Sequence, residues 1–536
     1  MLTSTMGYAH LQKLCEGVLP SKSVATKEKY RGAGRSSIPN GATIVVPFDS
    51  IETDASMLDH LLLAIKYEGI ELPIIGEVLK QIPAQAIADA FSRTPTSEYI
   101  RRIAYLWEHF NNHILEGLVI PARRPVKLFN PDEYYVRKKG KIDPRWNVEF
   151  NGLGDLNYCP VVRRNKRLEL ADERLWSGYE DFIKKGNGQE IKTNPDRLFQ
   201  PKLNNSLLAR TMRHAFLDET ESSFRIESEE PSGNRKEQFV QLLRNAHESR
   251  KINEEFLSEL QRFCVDPRWH EFEYRNNQNW LGNGARTLSS RVTYVPPPPE
   301  IVPEMMKTLC ELVNSPHEND LPAIARAGVI SFGFVYIHPF LDGNGRISRY
   351  LAHQSLCNSG KLPHGMVLPL SSVMLDEQES YHAALIEFSE PMRKMWDVSP
   401  SSNPDIPNFV FNGNESAYRY WSGDSSAAFV TDMGRIALNQ KLIQEAMFLE
   451  AYDECIHKIG EHAAGLPDKE VSLLVRMAVA NIQAPGSLSK NHRKKFSWLG
   501  TEKIGNIESI IQDSFLNYFE ASGKTDIHEE IQKEHD

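Results

Sequence analysis

The sequence predicts a mainly α fold: a helical core with one small β-hairpin, flanked by an N-terminal and a C-terminal helical domain. Three observations predict it. Apolar residues recur at helical spacing, as in Ile100, Ile103, Ala104, Trp107 and Phe110, which follow Pro95, Thr96 and Ser97 as N-cap candidates. The stretch NQNWLGNGARTLSSRVTYVPPPP offers two short strand-like runs around a Gly-Asn-Gly and Ser-rich turn, closed by prolines Pro296–Pro299 that no helix could contain. At 536 residues the chain also exceeds what one hydrophobic core holds, which implies two or three domains.

Composition sets the class. With 40% hydrophobic and 25% charged residues, the chain reads as a folded globular protein rather than a disordered or membrane one. The net charge of -9, from 62 basic and 71 acidic residues, argues against coating nucleic acid as the main task. The most apolar run, MLDHLLLAI at Met57–Ile65, is broken by Asp59 and His60, and the first thirty residues hold no apolar stretch of signal-peptide length. A cytoplasmic location with no membrane span is therefore expected. Cys15, Cys159, Cys264, Cys310, Cys357 and Cys455 show no C-x-x-C spacing, so free thiols are expected rather than disulfides or a zinc site.

Along the chain, residues 1–45 mix Gly, Ser, Lys and Arg without apolar periodicity and are expected to form an irregular arm. Residues 46–205 read as a mainly helical domain, with loops and short strands between Pro121 and Arg167, where Pro, Gly and Asp crowd. A core follows over 206–400. Within it Glu304–Val313 and Pro322–Ile337 read as helices, the second ending at His338 because Pro339 disfavours helical geometry there. Ile347–Ser359 and Glu377–Ser389 are helical again. A Pro, Ser and Asn-rich linker is expected at 401–425, a C-terminal helical domain, winged-helix-like in one reading, at 426–520, and a polar tail at 521–536.

The chemistry concentrates in HPFLDGNGRISR, His338–Arg349. Gly343 and Gly345 flank Asn344, which permits positive φ angles and converging backbone N–H groups, a nest for anions at a helix N-terminus. Arg346 and Arg349 share a helix face in the first turn, where the macrodipole disfavours cations unless a polyphosphate is bound. Their forked donors suit phosphate oxygens. Asp342 would repel that charge without a cation between them, and magnesium commonly takes one carboxylate and completes its shell with phosphate oxygens and water. His338 at the mouth of the nest is the candidate general base for an incoming hydroxyl.

Together these twelve residues resemble, without a mismatch, the signature of the Fic (filamentation induced by cAMP) family, His-Pro-Phe-x-Asp/Glu-Gly-Asn-Gly/Lys-Arg-x-x-Arg. The resemblance covers about Leu217–Ser389 and implies a Fic-fold core. It implies a protein adenylyltransferase that moves AMP from ATP to a Ser, Thr or Tyr hydroxyl of a target protein. His338 would then deprotonate the hydroxyl, Asp342 would bind Mg2+, and Gly343, Asn344, Gly345, Arg346 and Arg349 would bind the nucleotide phosphates.

Further elements are carried over in the same way. The hairpin resembles the Fic flap, which holds a target segment as an added strand, with Trp280 and Leu281, or Val292–Tyr294, as candidates. Tyr381 of ESYHAAL stands where many Fic proteins carry a Tyr-Tyr pair beside the nucleotide; here the pair is Tyr381-His382, and a packing role is the alternative. Upstream, ESSFRIESEE resembles the inhibitory helix Ser/Thr-x-x-x-Glu-Gly/Asn: Ser223 and Glu227 match, while Ser228 replaces Gly or Asn. A carboxylate from Glu227 on Arg349 would occupy the place of the γ-phosphate. Alternatives are another donor (UTP, phosphate or phosphocholine transfer), removal of AMP, or an ATP-sensing regulator whose basic KNHRKKFSW stretch contacts DNA or a partner. The acidic balance favours a solvated helix face for that stretch. Self-association into a homo-oligomer is left open.

Overall fold

Amphipathic segments with caps at their ends set the architecture. The computed structural model describes residues 5–13, 23–27, 34–38, 41–46, 52, 54–121, 123–188, 204–248, 250–283, 287, 291–315, 320–402, 407–462 and 466–522. It divides into two compact units, one of Met1–Glu169, Glu248–Ser359 and Gln378–Val430, the other of Leu170–His247, Gly360–Glu377 and Thr431–Asp536. Among the described residues no helix is long and apolar enough to cross a membrane, and Cys159, Cys264, Cys310, Cys357 and Cys455 are buried free thiols.

In the first unit, helices Met57–Tyr67, Leu72–Gln81, Ala84–Arg93 and Glu98–Asn111 share a core that includes Leu61, Ile75, Phe91, Ile103 and Trp146. Ser56 opens the first of them with a capping box, its Oγ accepting from Asp59 N while the Asp59 carboxylate accepts from Ser56 N. Ser97 caps the last, as the sequence predicts. Where an irregular arm was expected, the described residues form a four-stranded sheet of β1 (Thr5–Met6), β2 (Ser23–Lys27), β3 (Gly34–Ile38) and β4 (Gly41–Val46), in the order β1-β2-β4-β3. Strand β2 pairs parallel to β4, a long-range pairing that local periodicity does not report. Short strands β5 (Val126–Lys127), β6 (Lys141–Ile142) and β7 (Val148–Phe150) make the small sheet expected between Pro121 and Arg167.

The centre of this unit is the helix Ala323–Ile337. Every residue of it except Val335 is buried, the pattern of a helix that is apolar all round and surrounded by protein. Helices Val302–Asn314 and Asn344–Asn358 pack on it. The expected hairpin is present: β8 (Leu281–Gly282) pairs antiparallel with β9 (Val292–Tyr294). The segment expected as a linker instead contributes β11 (Asn408–Phe411), which pairs antiparallel with β10 (Trp396–Ser399).

The second unit is helical. Helix Asn205–Arg225 is capped by Asn204 and tied to helix Leu370–Asp376, where the buried Glu219 carboxylate accepts from Ser371 N at 2.7 Å and Ser371 Oγ at 2.5 Å. Its C-terminal part, Ile443–His462, Asp468–Val479, Lys490–Lys495 and Thr501–Ala521, closes over Cys455, Val475 and Phe515. Among the described residues this part forms no strand, so a winged-helix wing is not seen there. Within the basic stretch Arg493 pairs with Glu508 and Phe496 is buried.

Ile330 sits fully buried midway along the central helix. Ile330→Ala is expected to cost about 2–5 kcal/mol in urea denaturation, from lost burial plus the cavity left behind.

Candidate active site

His338 stands at the end of the central helix. Placed before Pro339, it leaves the helical region for φ 52°, ψ 60°, while its N–H still donates to the Phe334 carbonyl at 2.9 Å. The ring is buried, and Nδ1 lies 3.1 Å from the Val335 carbonyl oxygen. A carbonyl only accepts, so in the neutral ring Nδ1 carries the proton and Nε2 the lone pair. The ring is thus oriented by its own helix.

The turn that follows is clamped from inside. Asn344 Oδ1 accepts from Phe340 N at 3.0 Å, and Asn344 Nδ2 donates to Phe340 O at 2.7 Å. Gly343 caps the next helix at φ 88°, where an added Cβ would lie 3.0 Å from Val265 Cγ1. Both the left-handed backbone and the close approach call for glycine. Asn344 and Gly345 then open helix Asn344–Asn358, whose first turn leaves N–H groups with no acceptor inside the helix, the positive end of its dipole. That end has the polarity that suits an anion.

The charged groups are partly paired with one another. Arg346 is 1% exposed; its Nη2 donates to Asp342 Oδ1 at 2.8 Å and its Nη1 to Cys264 O at 2.7 Å. Asp342 Oδ1 also accepts from Gly343 N at 2.6 Å, yet its side chain remains 45% exposed. A phosphate drawn to Arg346 would therefore compete with Asp342. Arg349 is buried in the same helix. Among the described residues no group of three or more His, Cys, Asp or Glu could hold a metal. A magnesium ion here would take Asp342 and draw its remaining ligands from phosphate and water, which the half-exposed carboxylate fits.

Several residues that shape the site were not singled out in the sequence. Arg275 is buried; its Nε donates to His338 O at 2.8 Å, its Nη1 to Asn277 O at 3.1 Å and its Nη2 to Pro297 O at 2.6 Å, while its N–H donates to Pro339 O at 2.8 Å. Burial pushes its guanidinium down to about 10. Glu271 accepts from Leu341 N at 2.9 Å and from Gln261 Nε2 at 3.2 Å, and burial raises its carboxyl pKa while bonds from the loop N–H groups lower it. Asn279 Nδ2 donates to Leu341 O at 3.2 Å. The polar run YRNNQN just before the hairpin was the available signal, but no periodicity marks which of its members turn inward.

The remaining candidates are placed as follows. In the flap Trp280 is half-buried with Arg291 over its ring at 5.4 Å, Leu281 is exposed, and on β9 Val292 and Tyr294 point inward while Thr293 points out. Among the described residues β8 has β9 on one side only. Tyr381 is buried, stacked on Phe429 at 5.8 Å and edge-on to Phe332 at 6.1 Å, so its ring packs in the core.

Ser223 and Glu227 belong to the second unit. Ser223 is buried and Glu227 exposed at the end of helix Asn205–Arg225, which Phe224 anchors edge-on to Phe239 at 5.5 Å. Ser228 adopts φ 59°, and Glu229 N donates back to Phe224 O at 3.1 Å, the closure of a Schellman-type cap. The position where the inhibitory motif carries Gly or Asn thus has the backbone conformation those residues favour.

Arg275→Met removes three side-chain hydrogen bonds to carbonyls and is expected to cost about 2–4 kcal/mol in chemical denaturation. Ser228→Gly relieves a left-handed conformation at a side-chain-bearing residue and is expected to stabilise by about 1 kcal/mol, read as a rise in the thermal midpoint.

Comparison with known proteins places this geometry. Residues 250–356 match the Fic/DOC family. The protein adenylyltransferase Fic of Drosophila virilis is 34% identical over 91 residues, 17% of this chain and 17% of the relative. That of Drosophila melanogaster is 33% identical over 91 residues, 17% and 16% respectively. The match thus spans less than a fifth of the length of these curated relatives. Two solved structures are also similar. A Fic domain-containing signalling protein from Bacteroides thetaiotaomicron has a TM-score of 0.34 and 17% identity, covering 52% of this chain and 95% of that one. A Fic family protein from Desulfovibrio desulfuricans has a TM-score of 0.31 and 18% identity, covering 65% and 88%. Residues 250–356 of this chain are a Fic domain of the Fic/DOC family.

Proposed function

We propose that the chain is a protein adenylyltransferase, transferring AMP from ATP to a hydroxyl of a target protein. The observation that carries this reading is His338, oriented with its lone pair on Nε2 one short turn before a glycine-capped helix N-terminus. A base and an anion site at that spacing suit attack by a hydroxyl on a phosphate. The His338 ring takes the proton from the target hydroxyl, whose oxygen forms a bond to the α-phosphorus. The bond from that phosphorus to the bridging oxygen breaks, and pyrophosphate departs with the electron pair. The N–H groups of Asn344 and Gly345, with Arg349, stabilise the phosphate charge, and the exposed edge of β8 receives the target segment as an added strand. Asp342 would hold magnesium, which supplies charge neutralisation on the phosphates. ATP binding would exchange the internal Asp342–Arg346 pair for contacts to metal and phosphate.

The reading extends to autoinhibition. Glu227, at the end of its capped helix, would pair with Arg349 and hold ATP in a nonproductive pose. The Ser-x-x-x-Glu pattern of Ser223 and Glu227 and the left-handed Ser228 support this.

The test is transfer of label from α-³²P-ATP with magnesium to the protein itself and to a cell lysate. His338→Ala is expected to lower transfer by roughly 100-fold or more, and Glu227→Gly to raise it. Label from another nucleotide in place of ATP would reassign the donor. No label with any nucleotide from a folded, ATP-binding protein would overturn the transferase reading, and unchanged transfer in Glu227→Gly would remove the inhibitory role alone.

A further inference from the structure

A cavity of about 330 Å³ lies within the first unit, and its lining includes Tyr336, Phe388 and Trp421 together with Glu71, Arg163 and Asp424. Its size falls at the lower end of small-ligand pockets, and its lining mixes aromatic faces with a few charged groups, the usual make-up of such sites. The aromatic wall is prepacked. Tyr336 stacks on Phe388 with ring centroids 3.9 Å apart, Trp421 meets Tyr336 edge-on at 4.9 Å, and Trp421 Nε1 donates to Tyr158 OH at 2.9 Å. Its indole donor is thereby used, and a ligand would meet ring surface rather than hydrogen-bonding edges.

The charge of the lining is one-sided. Its lining carries three carboxylates, Glu71, Glu387 and Asp424, and a single guanidinium, Arg163. Arg163 lies over the Tyr134 ring at 5.2 Å and 3.9 Å from Glu71, and its backbone N–H donates to Asp424 Oδ1 at 2.7 Å. Aromatic faces beside net negative charge attract a cation with an apolar body and repel an anion.

We propose that this cavity binds a small organic cation, an alkyl- or aryl-ammonium compound, with its charge toward Glu387 and Asp424 and its apolar body against Tyr336, Phe388 and Trp421. Through Tyr336 the lining reaches the segment that ends at His338. Tyr336 is two residues before His338, and the Tyr336 carbonyl accepts from Tyr294 OH of flap strand β9 at 2.5 Å. An occupant resting on Tyr336 therefore bears on the base and the flap together, and it modulates transfer. That modulation rests on the adenylyl-transfer reading; the binding does not.

The test is titration of the full chain with benzyltrimethylammonium and with its neutral isostere, in which carbon replaces the nitrogen, by calorimetry and ligand-observed NMR. Saturable binding at one site is expected for the cation, with the isostere about tenfold weaker. Glu387 is exposed on its helix, so Glu387→Gln leaves the fold intact, and it is expected to weaken the cation about fivefold while leaving the isostere unchanged. Ala384→Trp fills the cavity and is expected to abolish binding of both. No saturable binding up to millimolar cation, equal binding of the isostere, or indifference to both substitutions overturns the site. α-³²P-ATP transfer is then measured with and without the cation: a change that Ala384→Trp abolishes supports coupling, and an unchanged rate with the site occupied overturns coupling. Absence of transfer under every condition would count against the transferase reading and leave the binding result standing.

Discussion

The site depends on one buried cation, the guanidinium of Arg275. The helix Ala323–Ile337 must stop abruptly for His338 to face the next helix, and a residue with a side chain at φ 52° is held there against a local preference of roughly 1 kcal/mol. Stopping also exposes carbonyls that the helix no longer uses. Arg275 meets two of them, His338 O through its side chain and Pro339 O through its backbone, while two further guanidinium nitrogens hold Asn277 O and Pro297 O on either side of the flap. Burial lowers its pKa to about 10, still well above neutrality, so the group stays charged and its bonds keep the strength of charged donors. His338 and the β8–β9 hairpin are thus referenced to a single side chain.

Around that anchor the loop is held partly from inside and partly by neighbours. Asn344 closes on Phe340 at both ends of its amide, Glu271 takes the N–H of Leu341, and Asn279 supplies the Leu341 carbonyl with a donor. What remains outward is Leu341, 53% exposed, and the half-exposed Asp342. The Asp342–Arg346 pair explains how an arginine can sit in the first turn of helix Asn344–Asn358. A cation there is unfavourable to the dipole, and the carboxylate four residues earlier offsets it without a ligand. The proposed magnesium-bound polyphosphate would offer Arg346 an anion and Asp342 a cation at once, so the exchange would conserve local charge balance.

The motif was legible because its residues are contiguous and their conformations are locally dictated: Pro339 ends the helix at His338, and Gly343 takes the left-handed turn. The hairpin was legible for the same reason, since Pro296–Pro299 and the glycines act within a few residues. Arg275, Gln261 and Glu271 were not, because the loop residues they bond lie 63 to 81 residues away and no spacing rule links them. Nor was the N-terminal sheet, whose β2 and β4 pair in parallel across an intervening strand, or the β10–β11 hairpin inside a segment rich in Pro, Ser and Asn. Tyr381 shows the opposite case. A residue marked by family position packs between Phe332 and Phe429, as any tyrosine on a helix between two aromatic rings would.

Ser228 links local backbone energetics to the proposed autoinhibition. A Schellman-type cap wants a left-handed residue, and glycine takes that conformation without the Cβ penalty, whereas serine bears it. The turn that ends helix Asn205–Arg225 forms nonetheless, because Phe224 is held against Phe239 and Glu219 ties the helix to Ser371. Packing one turn earlier thus offsets a cap that is weaker by roughly 1 kcal/mol. If Glu227 acts on Arg349 as proposed, its position is set by a turn that opens more readily than one capped by glycine. The fraction of molecules with Glu227 in place would be lower by up to a few-fold, so inhibition in this chain would be tuned by the residue after the glutamate as well as by the glutamate itself.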